Sequence, residues 1–161
     1  MLGGRLHRYG AGEGLLTLQE GTAEGALHGG CLTLLTASLG TPYAPALEGR
    51  LLFLEDIGVK PYQVDRMLRQ LLLSGKLEGV AGIVFGEMAD CSSEGAPASL
   101  LEQSILHALG GFKGPIAMGL RSGHVSRANV TLPLGVRARL AAEPSVCTVD
   151  LLEPAVTPRP R

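Results

Sequence analysis

Apolar residues fall into short continuous runs and helical stripes, and their order along the chain sketches the architecture. The clearest strand is residues 50–55, where Leu51-Leu52-Phe53-Leu54 is unbroken, as expected for a strand buried on both faces. A loop with Gly58 follows. Pro61 fits the first turn of a helix in which Val64, Met67, Leu68, Leu71 and Leu72 recur at helical spacing. Asp65 and Arg69 lie four apart on its polar side, and Gly75 is a natural stop. Residues 80–85 read as a second buried strand opening onto a polar loop over 86–96. Residues 97–109 read as a helix with Leu101, Ile105 and Leu109 in one stripe, and residues 115–120 as a strand. Upstream, residues 15–20 form a short strand and residues 25–30 a second short segment. Residues 31–39 form a helix with Leu32, Leu35 and Leu39 on one side, stopped by Gly40-Thr41-Pro42. Downstream, residues 129–132, 136–140 and 145–151 read as closing strands.

Helices alternate with strands in the middle and strands dominate both ends. The expectation is a compact α/β domain with a mixed sheet, without internal repeats. Its bounds are residues 15–154, preceded by a Gly-rich linker or ragged edge over 1–14 and followed by a Pro- and Arg-rich frayed tail over 155–161. With 161 residues, 45% of them hydrophobic, the chain can build one real core. A net charge of −1 without a basic face, few aromatics and no Trp argue against a nucleic-acid partner. No apolar stretch reaches the length of a membrane span, and residues 1–14 lack the apolar core of a signal peptide, so the expectation is a soluble cytoplasmic protein. Cys31, Cys91 and Cys147 are odd in number and widely spaced, which argues against a disulfide framework or a zinc site. Three reduced, mostly packed thiols are the simple reading, and a nucleophilic cysteine stays open.

Three constellations offer chemistry. Glu55 and Asp56 end the clearest strand, where ligands gather in α/β folds. Either carboxylate is aimed into a cleft, or it starts a loop or caps a helix. His124 follows Gly123 in a loop. It is either a general base with room for a substrate, or an ordinary exposed histidine. Gly29-Gly30 precede a helix and either offer amides to an anion or make a tight strand-to-helix turn. His7, His28 and His107 are less suited. Neither Ser104 nor Ser122 sits on a sharp strand-to-helix turn, and no Gly-x-Ser-x-Gly elbow is present.

In this order the segments resemble the LD-carboxypeptidase family, serine peptidases that include the microcin-C immunity peptidases. The resemblance is carried by Gly21-Thr-Ala-Glu-Gly-Ala-Leu-His-Gly-Gly-Cys-Leu-Thr-Leu-Leu35 with Leu39-Gly-Thr-Pro42. Gly49-Arg-Leu-Leu-Phe-Leu-Glu-Asp-Ile57 follows, with Lys60-Pro-Tyr62 and Asp65-Arg-Met-Leu68. The last stretch is Gly123-His124 with Asn129-Val-Thr-Leu-Pro-Leu-Gly135. It covers roughly residues 20–152. The resemblance implies the family's C-terminal domain, a swivelling β/β/α fold that supplies a glutamate and a histidine, here Glu55 and His124. The nucleophilic serine and the oxyanion hole belong to an N-terminal domain, in cis or in trans. No stretch of this chain reads as that domain. The implied substrate is a peptide ending in a D-amino acid, in the family the murein tetrapeptide, and some relatives cleave a peptidyl-nucleotide antibiotic.

The chain departs from the family at Cys31, where many relatives have Asn. It departs also at Val59 and Gln63, where relatives often have Glu and Arg. These departures bear on substrate contacts. The leading expectation is therefore half of a serine hydrolase, inactive alone. The alternatives are a non-catalytic domain that binds a peptide, a nucleotide or another subunit, and a cysteine hydrolase using Cys31 or Cys91 with His124. No metal or organic cofactor is implied. Apolar surface left without its partner domain points to a homo-oligomer.

Overall fold

The computed structural model describes residues 6–125 and 128–156. In chain order the strands are β1 (Arg8–Tyr9), β2 (Leu16–Gln19), β3 (Gly21–Cys31), β4 (Arg50–Glu55), β5 (Gly82–Gly86), β6 (Ile116–Leu120), β7 (Arg137–Ala142) and β8 (Cys147–Leu151). The helices are α1 (Leu32–Ala37), α2 (Pro61–Leu73) and α3 (Leu100–Ala108), with one 3-10 turn at Ala11–Glu13.

A strand buried on both faces needs an apolar layer on each side, and the continuous runs of β4 and β5 sit in the middle of the sheet for that reason. The eight strands are ordered β1-β8-β7-β3-β4-β5-β6-β2. β3, β4, β5 and β6 are parallel and are joined in turn through α1, α2 and α3. β7, β8, β1 and β2 are antiparallel to their neighbours. This is the mixed α/β sheet expected from the sequence.

Alternation along the strands splits the core in two. Leu52, Leu54, Ile83, Phe85 and Ile116 pack on one face against Leu32, Leu35, Val64, Leu68, Leu101 and Ile105 of the helices. Leu27, Leu51, Phe53, Val84 and Leu120 turn to the other face. There they meet Ala138 and Leu140 of β7 and Val149 and Leu151 of β8, because the sheet folds back on itself. The Thr17 hydroxyl of the edge strand β2 donates at 2.7 Å to the carbonyl of Glu143, just past β7, and ties the two layers together. The result is three layers: helices, parallel strands and antiparallel strands. On the outer surface, Glu24 pairs with Arg137 and Arg139 across β3 and β7, and Arg8 with Asp150 across β1 and β8. Among the described residues no helix is long and apolar enough to cross a membrane.

Two expectations are corrected. Residues 129–132 are not a strand but part of the long β6–β7 loop. Val130 and Leu132 plug the end of the second core, Val130 N–H donates to Arg121 O at 2.6 Å, and the Tyr9 hydroxyl donates to Thr131 O at 2.8 Å. Their apolar alternation serves a plug rather than a ladder. Residues 8–13, read as linker or ragged edge, contribute β1 and the 3-10 turn, and Tyr9 is buried in the second core. Residues 1–5 of that segment, and residues 157–161 of the expected tail, lie outside the described residues.

Candidate functional site

The side chains of β4 alternate between the two cores. Leu52 and Leu54 go to the helices, Leu51 and Phe53 to the antiparallel layer, and Glu55 follows on that second side at the strand's carboxyl end. It is 5% exposed. Two glycines make room for it. A Cβ on Gly86 would stand 2.8 Å from Glu55 Cβ and 2.9 Å from Ser122 O. One on Gly123 would stand 2.5 Å from Glu55 Oε2. Gly123 also has φ +91°, a conformation that glycine adopts without strain.

That turn sets His124 directly over the carboxylate. Its main-chain N–H donates to Glu55 Oε2 at 2.9 Å, and its Nδ1 lies 2.7 Å from the same oxygen. An ionised carboxylate only accepts, so the proton between them belongs to Nδ1. The neutral ring is thereby held as the tautomer whose Nε2 carries a free lone pair. The ring is half exposed while Glu55 is enclosed, so the pair is anchored on its inner side and presents its outer edge to solvent. Asn129 Nδ2 donates to Gly123 O at 3.0 Å and braces the turn.

Asp56 does different work. Its Oδ2 accepts from Thr33 N–H at 2.9 Å and Thr33 Oγ at 2.7 Å, and its Oδ1 from Ile57 N–H at 2.9 Å. α1 has no cap from its own Cys31, so Asp56 caps it from the next strand. The choice left open between cleft and cap therefore divides: Glu55 meets the histidine and Asp56 caps the helix. The Thr33 amide at the start of α1 is already taken, which removes it from any anion site after Gly29-Gly30.

The other candidates separate clearly. Cys31 lies opposite Glu55 in the β3–β4 ladder and is partly exposed. Cys91 is buried, and its thiol lies 3.7 Å from Asp56 O and 3.5 Å from Ala89 O. Burial pushes that thiol's pKa up, the opposite of what a nucleophile needs. Gln63 Oε1 accepts Lys60 N–H at 2.7 Å and completes the start of α2, and Val59 packs at the edge of the first core. Ser104 is tied to Leu100 O within α3, and Ser122 is buried. His7 packs edge-on against Tyr9. Gly86 is the site residue that sequence reasoning missed. Its signal was a glycine ending an apolar strand beside the polar loop.

A family model for the LD-carboxypeptidase C-terminal domain matches residues 24–140. Among curated proteins, the probable murein peptide carboxypeptidase of Bacillus subtilis is 39% identical over 137 residues, 84% of this chain and 43% of that protein. Among solved structures, an MccF-like protein from Bacillus anthracis superposes with TM-score 0.76 and 27% identity, covering 88% of this chain and 43% of that one. Muramoyltetrapeptide carboxypeptidase from Oxalobacter formigenes gives 0.74 and 30%, covering 91% and 50%. The chain spans about two-fifths of the length of curated relatives such as the Bacillus subtilis protein. By sequence and by fold, the chain belongs to the LD-carboxypeptidase family and carries its C-terminal domain.

Proposed function

We propose that this domain supplies the base of a serine LD-carboxypeptidase, with His124 as general base and Glu55 as its orienting carboxylate. The observation that carries the reading is the 2.7 Å contact between His124 Nδ1 and Glu55 Oε2, with the ring otherwise open to solvent. A serine hydroxyl is a poor nucleophile until a base takes its proton. The serine comes from an N-terminal domain, in cis or in trans, docked over the exposed ring. As its Oγ attacks the scissile carbonyl, its proton passes to Nε2. The imidazolium then returns that proton to the departing amine, and the same nitrogen activates the water that releases the acyl group. Glu55 keeps the ring in register and stabilises its charge while both steps occur.

The substrate is a peptide whose last bond joins an L-configured centre to a C-terminal D-amino acid, as in the murein tetrapeptide recycled in the cytoplasm. Residues 1–161 alone carry out no hydrolysis, because loss of one triad member removes most of the rate. The exposed surface that the serine-bearing domain covers also drives self-association of the isolated chain. The test is to mix the chain with a matching N-terminal domain and assay D-alanine release from the tetrapeptide. Release that depends on both parts and disappears in His124→Ala supports the reading. Binding of the peptide without turnover, when the N-terminal domain carries a competent serine, would make this a non-catalytic binding domain.

A further inference from the structure

The two neighbours of β3 do not run its full length. Pairing with β4 continues from Ala26 to Cys31, whereas the ladder with β7 ends at Ala26 and Arg137. The last bonds on the β7 side both involve Leu27. Its N–H donates to Val136 O at 2.9 Å, and its carbonyl accepts Gly135 N–H at 2.7 Å. Two residues thus oppose one, and Gly135, with φ +89°, is the bulge from which the β6–β7 loop diverges from the sheet.

Main-chain groups of a strand point to alternate sides from one residue to the next. Since Leu27 bonds toward β7, Gly29 points its N–H and C=O the same way, beyond the bulge. Among the described residues neither group has a hydrogen-bond partner on that side. The glycines agree with this assignment. A Cβ on Gly29 would come 2.9 Å from the Phe53 carbonyl carbon, so the α-carbon leans on β4 and its amide and carbonyl face away. A Cβ on Gly30 would meet nothing within 4 Å. Residues 29–31 are all partly exposed. The open edge is about 10 Å long at strand spacing, and it ends at Cys31, opposite Glu55.

We propose that this open edge of β3, from Gly29 to Cys31, takes the main chain of the peptide substrate as an added strand, with Gly29 as the pairing residue. The inference rests on the reading that the substrate is a peptide. Main-chain pairing places a peptide by its amides and not by its side chains. It therefore sets the scissile bond against His124 whatever side chain precedes it.

The test uses the 15N-labelled chain, docked with a matching unlabelled N-terminal domain whose serine is replaced by alanine, titrated with the murein tetrapeptide at millimolar concentration and followed at the Gly29 amide and the His124 ring. The Gly29 amide should shift along the same saturation curve as the ring, with its solvent exchange slowed by about tenfold. In a series of depsipeptides, each with one amide replaced by an ester, one member should bind about fivefold more weakly. That is the loss of one neutral hydrogen bond of about 1 kcal/mol, here to Gly29 C=O. A response at His124 without one at Gly29, or equal binding by every ester, would overturn the edge and leave the function standing. No response at either position would overturn both.

Discussion

Replacing Gly123 with alanine should separate the Glu55–His124 pair and cost the fold several kcal/mol. The new Cβ would stand 2.5 Å from Glu55 Oε2 and 2.6 Å from its Cδ, on a backbone at φ +91°. If the turn holds, an alanine in this conformation stores about 1–2 kcal/mol, and the carboxylate must retreat into a pocket already limited by Gly86. If the turn gives way, Glu55 loses the His124 N–H and the ring, each about 1.5–3 kcal/mol for a bond to a charged group. Either route leaves a buried carboxylate short of donors, for a total of about 3–5 kcal/mol, against a typical domain stability of about 5–15 kcal/mol. Gly58→Ala is the control. Gly58 has φ +69° and open space around a built Cβ, so only the backbone cost of about 1–2 kcal/mol applies. Urea unfolding of the three proteins gives both losses. If Gly123→Ala is no more costly than Gly58→Ala, the close packing of this turn on Glu55 is wrong.

Asp56→Ala removes the acceptor for both Thr33 groups and should cost about 2–3 kcal/mol in urea unfolding, with Asp56→Asn recovering part of it. Of the three cysteines, only Cys31 should react with a thiol reagent in the native state. Cys91 and Cys147 are buried, burial raises both thiols, and they should appear only on denaturation. A native count of two or more reactive thiols would contradict the packing. The isolated chain should show a weight-average mass that rises with concentration in sedimentation equilibrium, given exposed Leu34, Tyr62 and Leu73. Strictly monomeric behaviour at high concentration refutes this.

Much of this fold was legible because its central elements follow simple periods. The run at Leu51–Leu54 and the helical stripe from Val64 to Leu72 each have one environment per face, and pattern alone finds them. β3 was harder. It spans eleven residues near the centre of the sheet, yet only residues 25–30, in its second half, register as a segment. Gly29 and Gly30 read as turn residues, but Gly25 and Gly29 answer crowding. A Cβ on Gly25 would stand 2.5 Å from Gly49 O, and one on Gly29 would overlap the Phe53 carbonyl. Glu24 breaks the apolar pattern because it faces outward to Arg139. Long-range relations left no local trace: Asp56 capping α1 from another strand, Tyr9 reaching Thr131, and Glu55 meeting a histidine 69 residues away. Glu55 and His124 stood out through the family phrases around them, since neither residue type at its position distinguishes a site from an ordinary surface.

The arrangement of the imidazole proton is the most direct probe of the central claim. Long-range 1H–15N NMR on the neutral ring of His124 should show the proton on Nδ1 and a bare Nε2. In Glu55→Ala the ring should revert toward the opposite tautomer, which free imidazole side chains favour. A wild-type ring already protonated on Nε2, or one unchanged by loss of the carboxylate, would mean that Glu55 does not prepare this histidine to accept a proton.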